Sequence, residues 1–187
     1  IVDGSKILTL ALEEGPRHAP ENTALVAEKN GDGYKLTGTK TFVQEGMSAT
    51  TFVVVARTSG ALGDINGLTL FLVDADASGL TRNQVKTVDS RGYANLALDG
   101  VEVSVDAILG TLDDGFPVLE AVLDRARAAS GAEMLGTAAQ AFDMTLEYLK
   151  TREQFGQVIG SFQALGHRAA GLFGQMELAR SCAEAAL

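Results

Sequence analysis

The hydrophobic pattern changes its period near residue 112, and this change constrains the fold more than any other feature. Before that point, short runs rich in β-branched and aromatic residues are separated by Gly, Asn and Asp turns. After Gly110, apolar residues recur with the 3.6-residue period of an amphipathic helix. A run of strands followed by a run of helices predicts an α+β chain with two domains, residues 1–112 and 113–187.

The first domain is predicted to be an antiparallel β barrel or sandwich, because its strands follow one another without helices between them. The NGDG turn at residues 30–33 indicates a hairpin, since Asn and Gly adopt positive φ readily. The predicted strands cover residues 7–12, 25–29, 34–43, 51–57, 67–75, 84–88 and 93–103.

The second domain is predicted to contain two long helices. Asp114 is a candidate N-cap with Pro117 in the first turn, and the first helix should end near Gln154, before Gly156. Ser161 is a candidate N-cap for the second helix. A short connection makes the two helices antiparallel. Two helices bury little apolar surface, so we expect helices from elsewhere in the protein, or from another subunit, to complete a bundle.

Composition excludes several classes of protein. A net charge of −9 argues against general binding to nucleic acid or to an anionic membrane. No apolar run approaches the roughly 20 residues of a membrane span. Cys182 is the only cysteine, so no internal disulfide is possible and a cytoplasmic protein is the simplest interpretation. The start resembles no signal peptide and lacks Met, which leads us to expect a fragment.

Common fingerprints of catalysis and nucleotide binding are missing from the sequence. There is no Gly-rich dinucleotide loop, no phosphate-binding loop and no nucleophile elbow. His18 and His167 lie in different halves, and no Cys/His cluster predicts a metal site. An acidic chain of this kind would bind an anionic ligand through a few placed arginines or helix N-termini. Arg152 is such a candidate, although the helix dipole alone favours an arginine in a last turn.

Five segments in order resemble the acyl-CoA dehydrogenase family. The most specific is the Arg-x-Gln-Phe-Gly…Phe-Gln…His pattern that runs from Arg152 to His167. The five segments are ALEEG (11–15), GYKLTGTKTFVQEG (33–46), LTLFLVDADASGL (68–80), LALDGVEVSVDAILG (96–110) and the stretch from LDRAR to QALGH (123–167). The resemblance implies a homotetramer whose subunits have an N-terminal helical domain, a middle β barrel and a C-terminal four-helix bundle. This chain would then hold the barrel and the first two bundle helices.

The activity that this resemblance implies is the α,β-dehydrogenation of an acyl-CoA thioester. A carboxylate removes the α proton, FAD accepts a hydride, and an electron-transfer flavoprotein reoxidises the flavin. Some members carry the base at the position of Ala126, which has no proton acceptor, so no catalytic base is assigned here. Two alternatives remain open: a non-dehydrogenating subunit for binding or assembly, and an acyl-CoA oxidase or flavin monooxygenase. Acyl chain length and branching are not predicted.

In the β domain, four residues match positions that contact FAD in this family. Leu12 and Glu13 match the strand that touches the flavin, while Phe42 and Gln44 match the Trp and the Thr or Ser that flank its ring. Phe42 still offers an aromatic face, though a smaller one than Trp. Glu13, Phe42 and Gln44 differ from the common family residues, which motivates the alternative of a binding or assembly subunit.

In the helical domain, the resemblance assigns five further residues. Arg152 matches an arginine that reaches the FAD pyrophosphate of a neighbouring subunit, Phe155 an aromatic near the same cofactor, and Gln163 a residue at the adenine end. Phe155 is equally compatible with the role of an ordinary anchor of the turn, and Gln163 with that of a polar residue in the first turn of the second helix that binds no ligand. Asp124 and Arg127 match residues that contact acyl-CoA, although a solvated i,i+3 ion pair accounts for them as well.

Overall fold

The computed structural model describes residues 1–89 and 91–187 and divides into two compact units, residues 1–119 and 120–187. The domain boundary at residue 112 stays a prediction. The elements in chain order are β1 (Leu8–Ala11), β2 (Val26–Asn30), β3 (Gly33–Val43), β4 (Thr51–Arg57), β5 (Leu68–Asp74), β6 (Leu80–Gln84), β7 (Ala94–Ser104), β8 (Ile108–Leu109), α1 (Phe116–Thr151), β9 (Glu153–Gln154), β10 (Gln157–Val158) and α2 (Gln163–Ala186).

The strands β1 to β8 form one mixed sheet in the order β6-β7-β3-β2-β4-β5-β8, with β1 beside β4. Most neighbours are antiparallel, and β2 and β3 form the hairpin predicted from the NGDG turn. Strand β4 pairs in parallel with the whole of β1 and with a single residue of β2. The predicted α+β class is confirmed. The parallel contacts could not be predicted from the sequence, because they join strands that no tight turn connects.

The hydrophobic core is formed mainly by side chains of the strands in this sheet. Tyr34 and Leu36 on β3 point inward, as their alternation with polar neighbours predicts, and the Tyr34 ring packs against Phe71 with ring centroids 5.3 Å apart. Strand β4 is buried along nearly its whole length, which agrees with its run of β-branched residues. The core therefore belongs to the first unit and holds its strands in a fixed register.

One predicted strand is displaced. Residues 84–88 were predicted to be extended, but β6 ends at Gln84 and pairs with β7 from Leu80↔Leu98 to Gln84↔Ala94. After it, the Val85 amide donates one hydrogen bond to the Tyr93 carbonyl, 2.8 Å away. Strand β6 is an edge strand with no fully buried residue, so its sequence carries little of the apolar alternation on which such predictions rest.

Helix α1 begins at Phe116, so Pro117 lies in its first turn as predicted, but Asp114 is too early to be its N-cap. The chain is held at this point by Gly115, whose amide donates to the Leu68 carbonyl at 2.7 Å. The residue that flanks the helix is therefore the glycine, whose own carbonyl accepts the amide of Leu119 at 3.1 Å.

The connection between the helices also differs from the prediction. The residues Glu153 and Gln154, predicted as the end of α1, form β9 and pair with β10 in a short hairpin. Ser161 is not an N-cap, because its hydroxyl donates to the Val158 carbonyl at 2.6 Å and α2 begins after Phe162. The hairpin satisfies backbone groups beyond the helix end, which a simple helical continuation would not do.

The helices α1 and α2 together line a groove of about 1090 Å³. No residue of the second unit, all of whose residues are described, is buried. Apolar residues of the predicted helical stripes face the groove: Met134, Leu135, Ala138 and Phe142 on α1, with Leu172, Met176 and Ala179 on α2. In residues 1–89 and 91–187, neither helix has an apolar stretch that could cross a membrane.

Candidate functional site

A buried lysine anchors the segment that carries two of the predicted ligand contacts. Lys40 on β3 is fully buried, and its Nζ donates to Glu14 Oε1 at 2.7 Å and to the Leu12 carbonyl at 3.0 Å. The Glu14 carboxylate also accepts the amides of Ala24 (2.7 Å) and Leu25 (3.0 Å). Burial lowers the pKa of Lys40, and the charge of Glu14 opposes that shift. These contacts fix residues 12–14 against β3.

A β-bulge at the end of β3 controls where Phe42 points. The pairing with β7 passes from Lys40↔Leu96 to Val43↔Ala94, so two residues of β3 lie opposite one of β7. The extra residue shifts the alternation by one, which buries Val43 and leaves Phe42 53% exposed. Phe42 adopts a φ of 53°, a conformation that costs a bulky residue about 1–3 kcal/mol.

Two neighbours hold Phe42 in this conformation. Its amide donates to the side-chain oxygen of Asn95 at 2.9 Å. Its ring stacks on Tyr93, with centroids 4.3 Å apart and planes inclined by 26°. An exposed aromatic ring on a strained backbone is thus supported both through its main chain and through one side of its ring.

A cavity of about 780 Å³ lies beside this ring, and its lining includes Glu13, Thr41, Phe42 and Asn95. This volume is typical of sites for small organic ligands. The Thr41 hydroxyl oxygen is buried and has no hydrogen-bond partner among the described residues, which suits a site that a polar ligand completes. A second cavity of about 390 Å³ has Leu12 and Glu13 in its wall.

Glu13 is paired with a histidine at the edge of the larger cavity. Its Oε1 lies 2.6 Å from His18 Nδ1, and the Glu13 and His18 side chains are 30% and 46% exposed. Both residues line the cavity. A ligand at this edge of the cavity would therefore meet a carboxylate that is already hydrogen-bonded to an imidazole.

Of the four predicted contacts in the β domain, Glu13 and Phe42 line the larger cavity, and Leu12 and Glu13 line the smaller one. Gln44 is exposed and lines neither cavity. Its carbonyl accepts a hydrogen bond from the Thr9 hydroxyl at 2.6 Å. That bond ties the end of β3 to β1, and the role of its side chain toward a ligand stays a prediction.

The predicted helical contacts cluster around the hairpin. The amide of Arg152 donates to the Tyr148 carbonyl at 2.9 Å, while its guanidinium is exposed and makes no hydrogen bond or ion pair with a described residue. Phe155 is 90% exposed with a φ of 58°, and Gly156 follows at 79°. Gln163 is the exposed first residue of α2.

The predicted substrate contacts form a surface ion pair on α1. Arg127 Nη1 lies 2.6 Å from Asp124 Oδ1, with side-chain exposures of 54% and 68%. Such a pair contributes about 0–1 kcal/mol to stability. Both residues line the groove between α1 and α2, and Ala126 between them is exposed.

Four residues around the cavity were not predicted as site residues: Lys40, Thr41, Tyr93 and Asn95. The alternation of β3 could have identified Lys40, since Tyr34, Leu36 and Lys40 share one face and a buried lysine needs a carboxylate partner. No sequence pattern indicates the bulge, and therefore none indicates Thr41, Tyr93 or Asn95.

The two units define an α+β protein in which a mixed β domain precedes a helical domain. Residues 13–101 match the family model of the acyl-CoA dehydrogenase middle domain, and residues 113–187 match that of the acyl-CoA dehydrogenase C-terminal domain. Because both models match in order and cover most of the sequence, the chain belongs to the acyl-CoA dehydrogenase family.

Relatives and solved structures agree with this assignment. The short/branched chain specific acyl-CoA dehydrogenase of Bos taurus is 34% identical over 82% of this chain and 36% of the relative. The short-chain specific acyl-CoA dehydrogenase of Megasphaera elsdenii is 32% identical, over 97% of this chain and 48% of the relative. The solved butyryl-CoA dehydrogenase of Megasphaera elsdenii superposes with a TM-score of 0.87 at 29% identity, over 98% of this chain and 49% of that one. The chain thus spans about half the length, or less, of these relatives.

Proposed function

We propose that the full-length protein is an FAD-dependent acyl-CoA dehydrogenase, which introduces a double bond between the α and β carbons of an acyl-CoA thioester. The observation that carries this proposal is the cavity of about 780 Å³ beside the exposed ring of Phe42. Its volume, its aromatic wall and the buried Thr41 hydroxyl suit a planar ring with polar edges.

The residues of the β domain fit the flavin end of FAD. When bound, FAD supplies the acceptor for the hydride that leaves the β carbon. Phe42 would cover a face of the ring, and Glu13, in the segment that Lys40 anchors, would hold the ligand from another wall of the cavity. Gln44 is proposed to flank the ring through its side chain. The Glu13 carboxylate in the wall of this cavity is hydrogen-bonded to His18.

The hairpin residues are proposed to contact the FAD of a neighbouring subunit. The Arg152 guanidinium is exposed and suits a pyrophosphate, with which a guanidinium would form two parallel hydrogen bonds. Phe155 and Gln163 extend this contact toward the adenine end. An exposed phenylalanine in a strained turn supports such an intersubunit role, because among the described residues its ring has only an edge contact with Phe162. The assembly is therefore proposed to be a homotetramer.

The acyl-CoA substrate is proposed to lie along α1. Asp124 and Arg127 would bind its polar portions, which requires their ion pair to open or to accept a third partner. Ala126 cannot remove the α proton, so no residue of this chain is proposed as the catalytic base. The electron acceptor is proposed to be an electron-transfer flavoprotein, and the location cytoplasmic.

The test is the absorption spectrum of the full-length protein, reconstituted with FAD and kept anaerobic. We expect a flavin spectrum that bleaches when an acyl-CoA of suitable chain length is added and does not bleach with free CoA. A protein that retains no flavin after reconstitution contradicts the proposal.

The same sample separates the alternatives. Oxygen consumption after substrate addition identifies an oxidase or monooxygenase, whereas a dehydrogenase needs an added electron acceptor. Bound flavin that no acyl-CoA bleaches would favour the non-dehydrogenating binding subunit.

A further inference from the structure

The β-bulge places one side chain of β7 directly opposite the strained residue. Thr41 and Phe42 are the two residues of β3 that lie opposite Asn95. The Asn95 side chain accepts the Phe42 amide at 2.9 Å, although the two residues are 53 positions apart in sequence. A phenylalanine with a φ of 53° would otherwise relax toward an extended conformation, so this hydrogen bond opposes that relaxation.

Tyr93 supports the ring of Phe42 in the same way that Asn95 supports its main chain. Stacking at 4.3 Å and 26° occupies one side of the Phe42 ring, and 53% of the residue remains exposed. Rotation of the Phe42 side chain toward Tyr93 is blocked by that contact. A phenylalanine whose backbone and one ring face are both held is preorganised to bind a flat ligand on its other ring face.

The other side of the bulge is also fixed. The Thr41 amide donates to the Glu13 carbonyl at 2.7 Å, which joins the bulge to the segment that lines the same cavity. Asn95 lines the cavity as well. Its pairing partner on the neighbouring strand β6 is Asn83, which does not line the cavity. The chain therefore offers a matched asparagine on the neighbouring strand.

We propose that Asn95 and Tyr93 are positioning residues that hold Phe42 as a platform for the planar heteroaromatic ring of the ligand in this cavity. The inference rests on the proposed binding of FAD. It predicts that the two residues determine how closely the flavin stacks on Phe42, and that they do so without contributing chemistry of their own.

The experiment titrates FAD into the full-length apoprotein and records the affinity and, at saturation, the shift of the visible flavin absorption band relative to free FAD, since stacking on an aromatic ring perturbs that band. Asn95→Ala should raise the dissociation constant by about fivefold to tenfold, which corresponds to one hydrogen bond, and should reduce the shift. Asn95→Asp, which keeps the acceptor oxygen, should keep the shift of the wild type, as should Asn83→Ala. Tyr93→Leu should behave like Asn95→Ala, and Tyr93→Phe like the wild type.

The band shift at saturation is independent of a general loss of stability, so a merely structural role would lower the melting temperature and leave the shift unchanged. If Asn95→Ala is too unstable to purify, the comparison of Tyr93→Leu with Tyr93→Phe carries the test. A wild-type shift in both Asn95→Ala and Tyr93→Leu overturns this inference and leaves the proposed function standing. A wild-type protein that binds no FAD overturns both.

Discussion

At the scale of single residues, Lys40 shows how a charged side chain can organise a ligand site that it does not line. It is fully buried, and its ammonium group is satisfied by a carboxylate and a carbonyl of the segment at residues 12–14. A buried pair of this kind is costly to break, because the partner that remains keeps its desolvation penalty. Its effect on the site is to hold the backbone of Leu12 and Glu13 in place.

We predict that Lys40→Met destabilises the protein by about 3 kcal/mol, because Glu14 then loses its only buried cation among the described residues. Urea unfolding followed by circular dichroism measures the difference. Lys35→Met on the same strand, where the lysine is exposed, should change the free energy of unfolding by less than about 0.5 kcal/mol. Equal effects of the two substitutions would contradict the anchoring role.

The same two proteins test the direction of the pKa shift. The folded-state pKa of Lys40 is below its unfolded value of 10.5, so the unfolded state binds more protons in the pH window between the two. The wild type should therefore gain stability relative to Lys40→Met as the pH rises through that window toward 10.5. A relative loss across this range would show that the attraction of Glu14 outweighs burial.

At the scale of secondary-structure elements, the hairpin β9–β10 has a turn sequence that is poorly suited to its backbone conformation. Two-residue turns with positive φ at both positions favour Asn-Gly, yet this turn is Phe155-Gly156. The ring of Phe155 makes one edge contact with Phe162, at 6.1 Å, and is otherwise exposed. The element is therefore less stable than its topology permits, as is common where a segment has a binding role.

We predict that Phe155→Asn stabilises the protein by about 1 kcal/mol, by removing backbone strain, and at the same time weakens FAD binding. Thermal unfolding of the protein without FAD and an FAD titration measure the two effects. Phe155→Leu keeps an apolar side chain at the strained position and should give no gain in stability. Stabilisation without any loss of FAD affinity would argue that the hairpin has no ligand role.

At the scale of the whole molecule, the second unit is incomplete by itself. None of its residues, 120–187, is buried, and its two helices leave an apolar groove of about 1090 Å³. Globular helices derive most of their stability from packing of an apolar face, so this groove requires a covering structure. Residues 113–187 match the family model of the acyl-CoA dehydrogenase C-terminal domain, and the chain spans about half of its relatives or less.

We predict that Met134→Asp destabilises the full-length protein by at least about 2 kcal/mol, because an aspartate would be buried without a partner when the groove is covered. Met144→Asp is the control: both methionines lie on α1 with similar exposures of 68% and 64%, but Met144 does not line the groove. Thermal unfolding combined with light scattering measures stability and assembly together. Equal effects of the two substitutions would mean that the groove is open to water.

Much of the fold could be predicted from the sequence because it is encoded locally. The alternation in β3 and the β-branched run in β4 identify strands, and the 3.6-residue period identifies α1 and α2. The exceptions have physical causes as well. Strand β6 is an exposed edge strand with weak alternation, the start of α1 is held by a backbone contact to β5, and α2 follows a short 3-10 turn, Ile159–Ser161, without a side-chain cap.

The sequence by itself therefore determined the α+β class, the succession of strands followed by two long helices, and the family, since these depend on periodicity and on motifs that neighbouring residues carry. Only the tertiary structure decided that Phe42 points outward on a bulge, that Asn95 and Tyr93 hold it there, and that Glu13 is paired with His18. The physical reason is that a bulge and its contacts arise from the pairing of distant strands. A single extra residue in that pairing reverses which side chain reaches the core and which reaches the cavity.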